Sequence, residues 1–221
     1  MNDTLPLADE LLLLALREAD GKQLIDTARL NAGLGGAVLA ELALAGRVRL
    51  DGRRLAVGDA APHGEPDLDA ALARVAADRK PRKPEYWVQK LGRSDLRKRR
   101  LEGLAERGVL TTEDHKALGL FSYRRYPEQD SAPETEIRGR LQNALDGGAT
   151  DDRTITLLAI THACGLDRKI FPGVPKKDLK RRIEKLAADD WAGAAVTKVI
   201  VQAVSAAVVA ATVAATAASG G

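Results

Sequence analysis

Aromatic residues are scarce in this 221-residue chain: two Trp, three Tyr and two Phe make up 3% of it. That scarcity argues against a β-sandwich, whose core draws on aromatic and β-branched side chains. Ala, Leu and Val supply most of the apolar volume and favour helices packed closely through small side chains. Cysteine is nearly missing too. Cys164 stands alone, which excludes an internal disulfide and points to a reducing cytoplasm. The opening Met1-Asn-Asp-Thr-Leu-Pro lacks the basic region and cleavage motif of a secretory leader. The apolar run Leu11 to Leu14 is bracketed by Asp9, Glu10, Arg17 and Glu18 too closely for export. A cytoplasmic protein is the expectation.

Recognisable catalytic chemistry is also lacking. Gly33-Leu-Gly-Gly36 has neither the Lys nor the Ser/Thr that a phosphate-cradling loop needs, and no strand clearly precedes it. His63, His115 and His162 lie far apart. His162 and Cys164, two residues apart on an expected helix, point to different sides and make a poor metal pair. The sequence therefore nominates no catalytic residue, no metal ligand and no cofactor, and reads as a non-enzyme.

What the chain does have is helix. Apolar periodicity predicts helices over residues 7–19, 27–45, 67–78, 85–91, 95–107, 134–145, 152–164 and 176–188. The second of these carries Gly33, Gly35 and Gly36, which mark a candidate break, and Asp67 is a candidate cap for the third. Asp51-Gly52 between alternating runs predicts a hairpin, and residues 120–126 alternate like a strand before a polar loop. Residues 190–218 read as one long Ala/Val/Thr helix. Its last 20 residues carry no charge and are long enough to span a bilayer. They contain no Leu or Phe but do contain Gln202, Ser205, Thr212 and Thr216, which favours a central helix buried among the others. With no long linker in view, the fold class is mainly α: one helical domain over residues 1–221 around an apolar C-terminal helix, with one or two small β-hairpins.

Charge is the remaining signal. The net charge is only +3, but residues 79–107 hold eleven basic residues against four acidic ones, while residues 59–78 are acidic. Such separation builds a basic face able to attract phosphates. An Ala/Leu-rich helix running into a glycine and then a β-branched segment occurs twice, over residues 34–50 and 97–112, and the second helix is studded with Arg and Lys. Arg93, Arg97 and Arg100 follow an i, i+4, i+7 spacing that predicts one shared side, with bidentate donors for a phosphate monoester.

Several segments carry a resemblance. Leu11-Leu-Leu-Leu-Ala-Leu16, Gly33-Leu-Gly-Gly-Ala-Val-Leu-Ala-Glu-Leu-Ala-Leu-Ala-Gly-Arg47, Gly108-Val-Leu-Thr-Thr112 and Leu157-Leu-Ala-Ile-Thr-His-Ala163 occur in this order before the apolar C-terminal helix. In this the chain resembles the Golgi phosphoprotein 3 family, peripheral membrane proteins that recognise phosphatidylinositol 4-phosphate, and its bacterial members in particular. The abundance of Ala, Arg, Gly and Leu also suits a GC-rich bacterial genome. The resemblance implies a mostly helical domain with a protruding hairpin over residues 121–134 that serves oligomer contacts. It also implies anionic phospholipid headgroups and protein clients as partners, on the inner face of a membrane. At the family's lipid pocket it places Asp26 where a Trp stands and Gly35 where an Arg stands. Arg97 matches one of the two later basic positions; Ser94, beside Arg93, falls at the other. Losing the Trp and the Arg removes an apolar wall and a charge-assisted contact. A winged-helix-like nucleic-acid binder is the alternative, supported by the repeated helix–glycine–hairpin order and a sequence pI near 9.0.

Overall fold

The computed structural model describes residues 4–117, 121–188 and 194–219. Among them are ten helices and two separate two-stranded antiparallel sheets, in agreement with a mainly α class. The helices are α1 (Leu7–Ala15), α2 (Thr27–Leu44), α3 (Pro66–Ala77), α4 (Pro84–Leu91) and α5 (Ser94–Glu106), followed by α6 (Ala132–Leu145), α7 (Asp152–Ala163), α8 (Asp167–Ile170), α9 (Lys176–Ala188) and α10 (Ala194–Ser219). The strands are β1 (Val48–Asp51), β2 (Arg54–Val57), β3 (Glu113–Ala117) and β4 (Phe121–Arg125).

One contiguous apolar core joins residues from all ten of these helices, and α1 and α2 lie deepest in it. Every residue of α1 is buried, Asp9 and Glu10 included. The helix stops at Ala15, four residues short of the sequence expectation, because Leu16 is extended and bridges Gln23. Helix α2 runs unbroken through Gly33, Gly35 and Gly36. A helical glycine costs about 1 kcal/mol relative to Ala, and here the missing side chains are what allow close packing. A Cβ on Gly33 would lie 2.6 Å from Cys164 Sγ, and one on Gly36 would overlap Val204.

The repeated helix–glycine signal has a common cause. Gly46 and Gly108 follow α2 and α5 with φ of 68° and 74°. In each case the next amide reaches back five residues, Arg47 to Leu42 and Val109 to Leu104, which closes the helix end and turns the chain. After Gly46 the chain enters the first hairpin, paired from Val48↔Val57 to Asp51↔Arg54, with Gly52 at φ 59° in the turn. After Gly108 it makes only an isolated bridge, Leu110↔Glu128, before the second hairpin begins.

That second hairpin spans residues 113–125, paired from Glu113↔Arg125 to Ala117↔Phe121. It lies upstream of the expected 121–134 position. The expected strand at 120–126 is its second strand, with Leu120 outside the described residues, and residues 132–134 already belong to α6. The cap of α3 is Glu65, which accepts from Leu68 N, so Asp67 falls inside the helix.

Helix α10 packs on α2, α4 and α7. Ile200, Ala203 and Val204 are fully buried, whereas Val209 and Val213 are 62% and 61% exposed. By length and composition its 195–214 window could cross a membrane, and one third of that window is buried. It therefore offers the core one face of its first half. The helix enclosed on all sides is α2, from Leu34 to Leu42.

Candidate functional site

Of the five residues singled out by sequence, Gly35 lies where α4 crosses α2 and Arg93 and Arg97 lie where α5 begins, whereas Asp26 stands at the start of α2 and Arg100 in the middle of α5. A Cβ built on Gly35 would overlap Val88 O and lie 2.8 Å from Gly92 N; one on Gly92 would overlap Asn31 O. Backbone meets backbone at this crossing, so position 35 has no room for any side chain. The absence of an Arg here is enforced by packing in this chain. Asp26 caps α2, accepting from Arg29 N at 3.0 Å and pairing with Arg29 Nε at 3.0 Å. Its carboxylate is occupied by the helix start and the adjacent guanidinium.

Arg97 leaves α5 and reaches the crossing. Its Nη1 donates to Asn31 Oδ1 at 2.8 Å, one helical turn before Gly35. Half-burial lowers its pKa from the ordinary Arg value by desolvation. Among the described residues no carboxylate lies within ion-pair distance of it. The guanidinium therefore keeps donors that no protein acid neutralises. Arg93 is the cap residue of α5, with extended backbone and no side-chain cap bond, and its side chain is exposed. Together with Arg74, Lys90, Ser94 and Asp95 it lines a shallow depression of about 550 Å³.

Arg100 does not join them, contrary to the i, i+4, i+7 expectation. It stands four residues from both Leu96 and Leu104, which are buried, and so lies on the core stripe of α5. Only 7% exposed, it pairs with Glu65 (2.6 Å), Asp67 (3.1 Å) and Asp9 (3.7 Å). Burial pushes Asp9 up to about 6, against the opposing pull of Arg100. Arg99 is likewise held, by Asp67 at 2.8 Å and Asp95 at 3.4 Å, and Lys98 faces Glu102 at 3.8 Å. The acidic stretch around residues 65–67 thus folds onto the middle of the basic helix and neutralises it. Unbalanced positive charge remains at the helix start.

Three contributors escaped the sequence reading. Asn31 has a legible signal, since it stands one turn ahead of Gly35 on the glycine-bearing helix. Arg74 is the one basic residue within the acidic stretch 59–78, a mark of a separate role. Lys90 gave no signal beyond belonging to the basic block.

A larger cavity of about 1040 Å³ lies elsewhere, beside Glu10, Glu41, Arg140 and Arg153. Its charges are largely spent on one another. Glu10 accepts from Arg140 at 3.0 Å, and Arg153 pairs with Glu41 and Glu10. The enclosed α2 also offers no face to a nucleic-acid groove, and on α5 three of the four cations, Lys98, Arg99 and Arg100, face carboxylates, which leaves few donors for a groove-reading helix. Cys164 is fully buried and its thiol is pushed up to about 12 by desolvation, so it carries no thiolate at neutral pH. His162 Nδ1 lies 2.7 Å from Asp167 Oδ2.

Comparison with known proteins adds to this geometry. The family model described as Golgi phosphoprotein 3 (GPP34) matches residues 7–203. Vacuolar protein sorting-associated protein 74 of Eremothecium gossypii is 28% identical over 165 residues, covering 64% of this chain and 49% of that protein. The chain spans about half the length of this curated relative.

Proposed function

The chain belongs to the Golgi phosphoprotein 3 family, and from that premise we propose that it is a peripheral adaptor that docks the start of α5 on anionic phospholipid headgroups. The observation that carries this reading is the fate of the basic helix. Lys98, Arg99 and Arg100 are matched by protein carboxylates, whereas Arg93 and Arg97 keep their donors. Arg97 is set against Asn31 at the same α2 turn where the family resemblance places a headgroup contact. A relative named for vacuolar protein sorting fits an adaptor that brings protein clients to a membrane. The exposed hairpin side chain Tyr123, stacked on His115, is the self-association surface that the resemblance implies.

Each basic residue near an anionic surface contributes about 1 kcal/mol at moderate salt. Two such residues give a weak, salt-sensitive association that multivalency would strengthen. Flotation with vesicles of phosphatidylcholine alone, with phosphatidylserine, or with phosphatidylinositol 4-phosphate tests the proposal. Binding to the anionic vesicles that fades with added salt supports it. No cosedimentation at low salt removes it.

A further inference from the structure

Helices α3, α4 and α5 each send one cation into the 550 Å³ depression: Arg74, Lys90 and Arg93. The remaining lining residues are Ser94, which offers a hydroxyl, and Asp95, whose carboxylate faces Arg99 at 3.4 Å. Among the described residues none of the three cations has a carboxylate within ion-pair distance, although most arginines elsewhere on α5 do. Three like charges converging on one concavity repel one another unless an anion joins them. Ser94 and Asp95 belong to the first turn of the 13-residue α5, whose cap residue Arg93 supplies no side-chain acceptor to it.

We infer that Arg74, Lys90 and Arg93 form a binding site for a phosphate monoester, displaced toward α3 and α4 from the position that packing closes at Gly35. Two guanidiniums supply forked donors and the ammonium a compact charge, a set suited to a dianion more than to a singly charged phosphodiester. Arg74 and Lys90, which the sequence pattern does not single out, join Arg93 to restore the positive charge missing at positions 35 and 94. It rests on the headgroup reading above, and adds to it the residues and the charge state that are recognised.

The experiment compares the wild-type chain with R74A/K90A, and with R49A/R53A, which removes two exposed cations from the first hairpin. Each is titrated with vesicles carrying phosphatidylinositol 4-phosphate or plain phosphatidylinositol, and separately with inorganic phosphate and soluble inositol 1-phosphate. Thermal unfolding checks that the substitutions leave the fold intact, and R74K/K90R serves as the charge-conserving rescue. The expected result is a wild-type preference for the monoester lipid that falls at least tenfold in R74A/K90A, persists in R49A/R53A, and returns in R74K/K90R. Binding of the soluble monoesters without binding to vesicles upholds the site and overturns the lipid reading. Unchanged monoester preference in R74A/K90A overturns the site while leaving the lipid reading standing. A wild-type chain that binds neither vesicles nor soluble phosphate overturns both.

Discussion

Replacing Gly35 with Ala gives a sharp test of the α2–α4 crossing. In an ordinary exposed helix the substitution stabilises by about 1 kcal/mol, because Ala has less backbone freedom to lose. At Gly35 the added methyl would overlap Val88 O and sit 2.8 Å from Gly92 N. Both obstacles are main-chain atoms on a packed helix, so neither can swing aside as a side-chain tip would. Relief requires α4 to move off α2, opening voids beside the fully buried Val88 and Leu34. Overpacking of this kind costs about 1–3 kcal/mol, occasionally more, and the lost contacts of the displaced helix add to it. After subtracting the propensity gain, a net loss of about 2 kcal/mol is expected, or about 4–8 °C in Tm for a chain of this size. The matched control is Gly103→Ala on α5, where a Cβ meets nothing within 4 Å. That variant is expected to gain about 0.5–1 kcal/mol. Urea and thermal unfolding of the two variants beside wild type measure the contrast. A Gly35→Ala protein as stable as Gly103→Ala would show that the crossing is loose, and would reopen position 35 as a headgroup contact.

Arg100→Ala strands Glu65, Asp67 and Asp9 without their shared cation, and a loss of about 3–5 kcal/mol in urea unfolding is expected; a change below about 1 kcal/mol would put Arg100 on the surface after all. Asp9 holds its proton more tightly in the folded chain, at about 6, than unfolded, so its contribution favours folding in acid and is lost as pH rises from about 4 through 6. Asp9→Asn should therefore flatten the wild-type fall in stability across that window, and parallel curves for the two proteins would refute the assignment. Glu134, raised to about 7 by burial beside Arg138, extends the same trend toward neutrality, and Glu134→Gln should remove its share of the slope between pH 5 and 7. Cys164 should resist alkylation at pH 8 until the chain is unfolded; rapid labelling of the native protein would contradict its burial.

Helix positions were legible because apolar spacing repeats in all the long helices, and the Asp51-Gly52 hairpin was legible because its turn chemistry is local. The glycines of α2 misled for a physical reason. A glycine weakens an isolated helix, but at Gly33, Gly35 and Gly36 the partners Cys164, Val88 and Val204 come from distant parts of the chain, and no local pattern announces them. The four-residue α8 was missed because its one turn is too short to establish a period. The basic helix misled through sequence distance too. Glu65 and Asp67 lie some 30 residues before Arg99 and Arg100, so charges separated along the chain cancel in space. The spacing Leu96–Arg100–Leu104 did encode the inward direction of Arg100, but the i, i+4, i+7 alignment with Arg93 concealed it. Arg93 stands at the cap, outside the helical ladder, and the alignment does not extend to it.

Main chain touching main chain at Gly35 and Gly92 leaves α4 unable to slide or roll along α2. Lys90 and Arg93 hang from that immobilised segment, and Arg97 is tied to α2 through Asn31. An anion at the proposed site would meet backbone positions already fixed, so ordering the exposed side chains is what its binding costs. Replacing the side chains mounted on such a frame, as in R74A/K90A, therefore leaves the scaffold beneath unchanged.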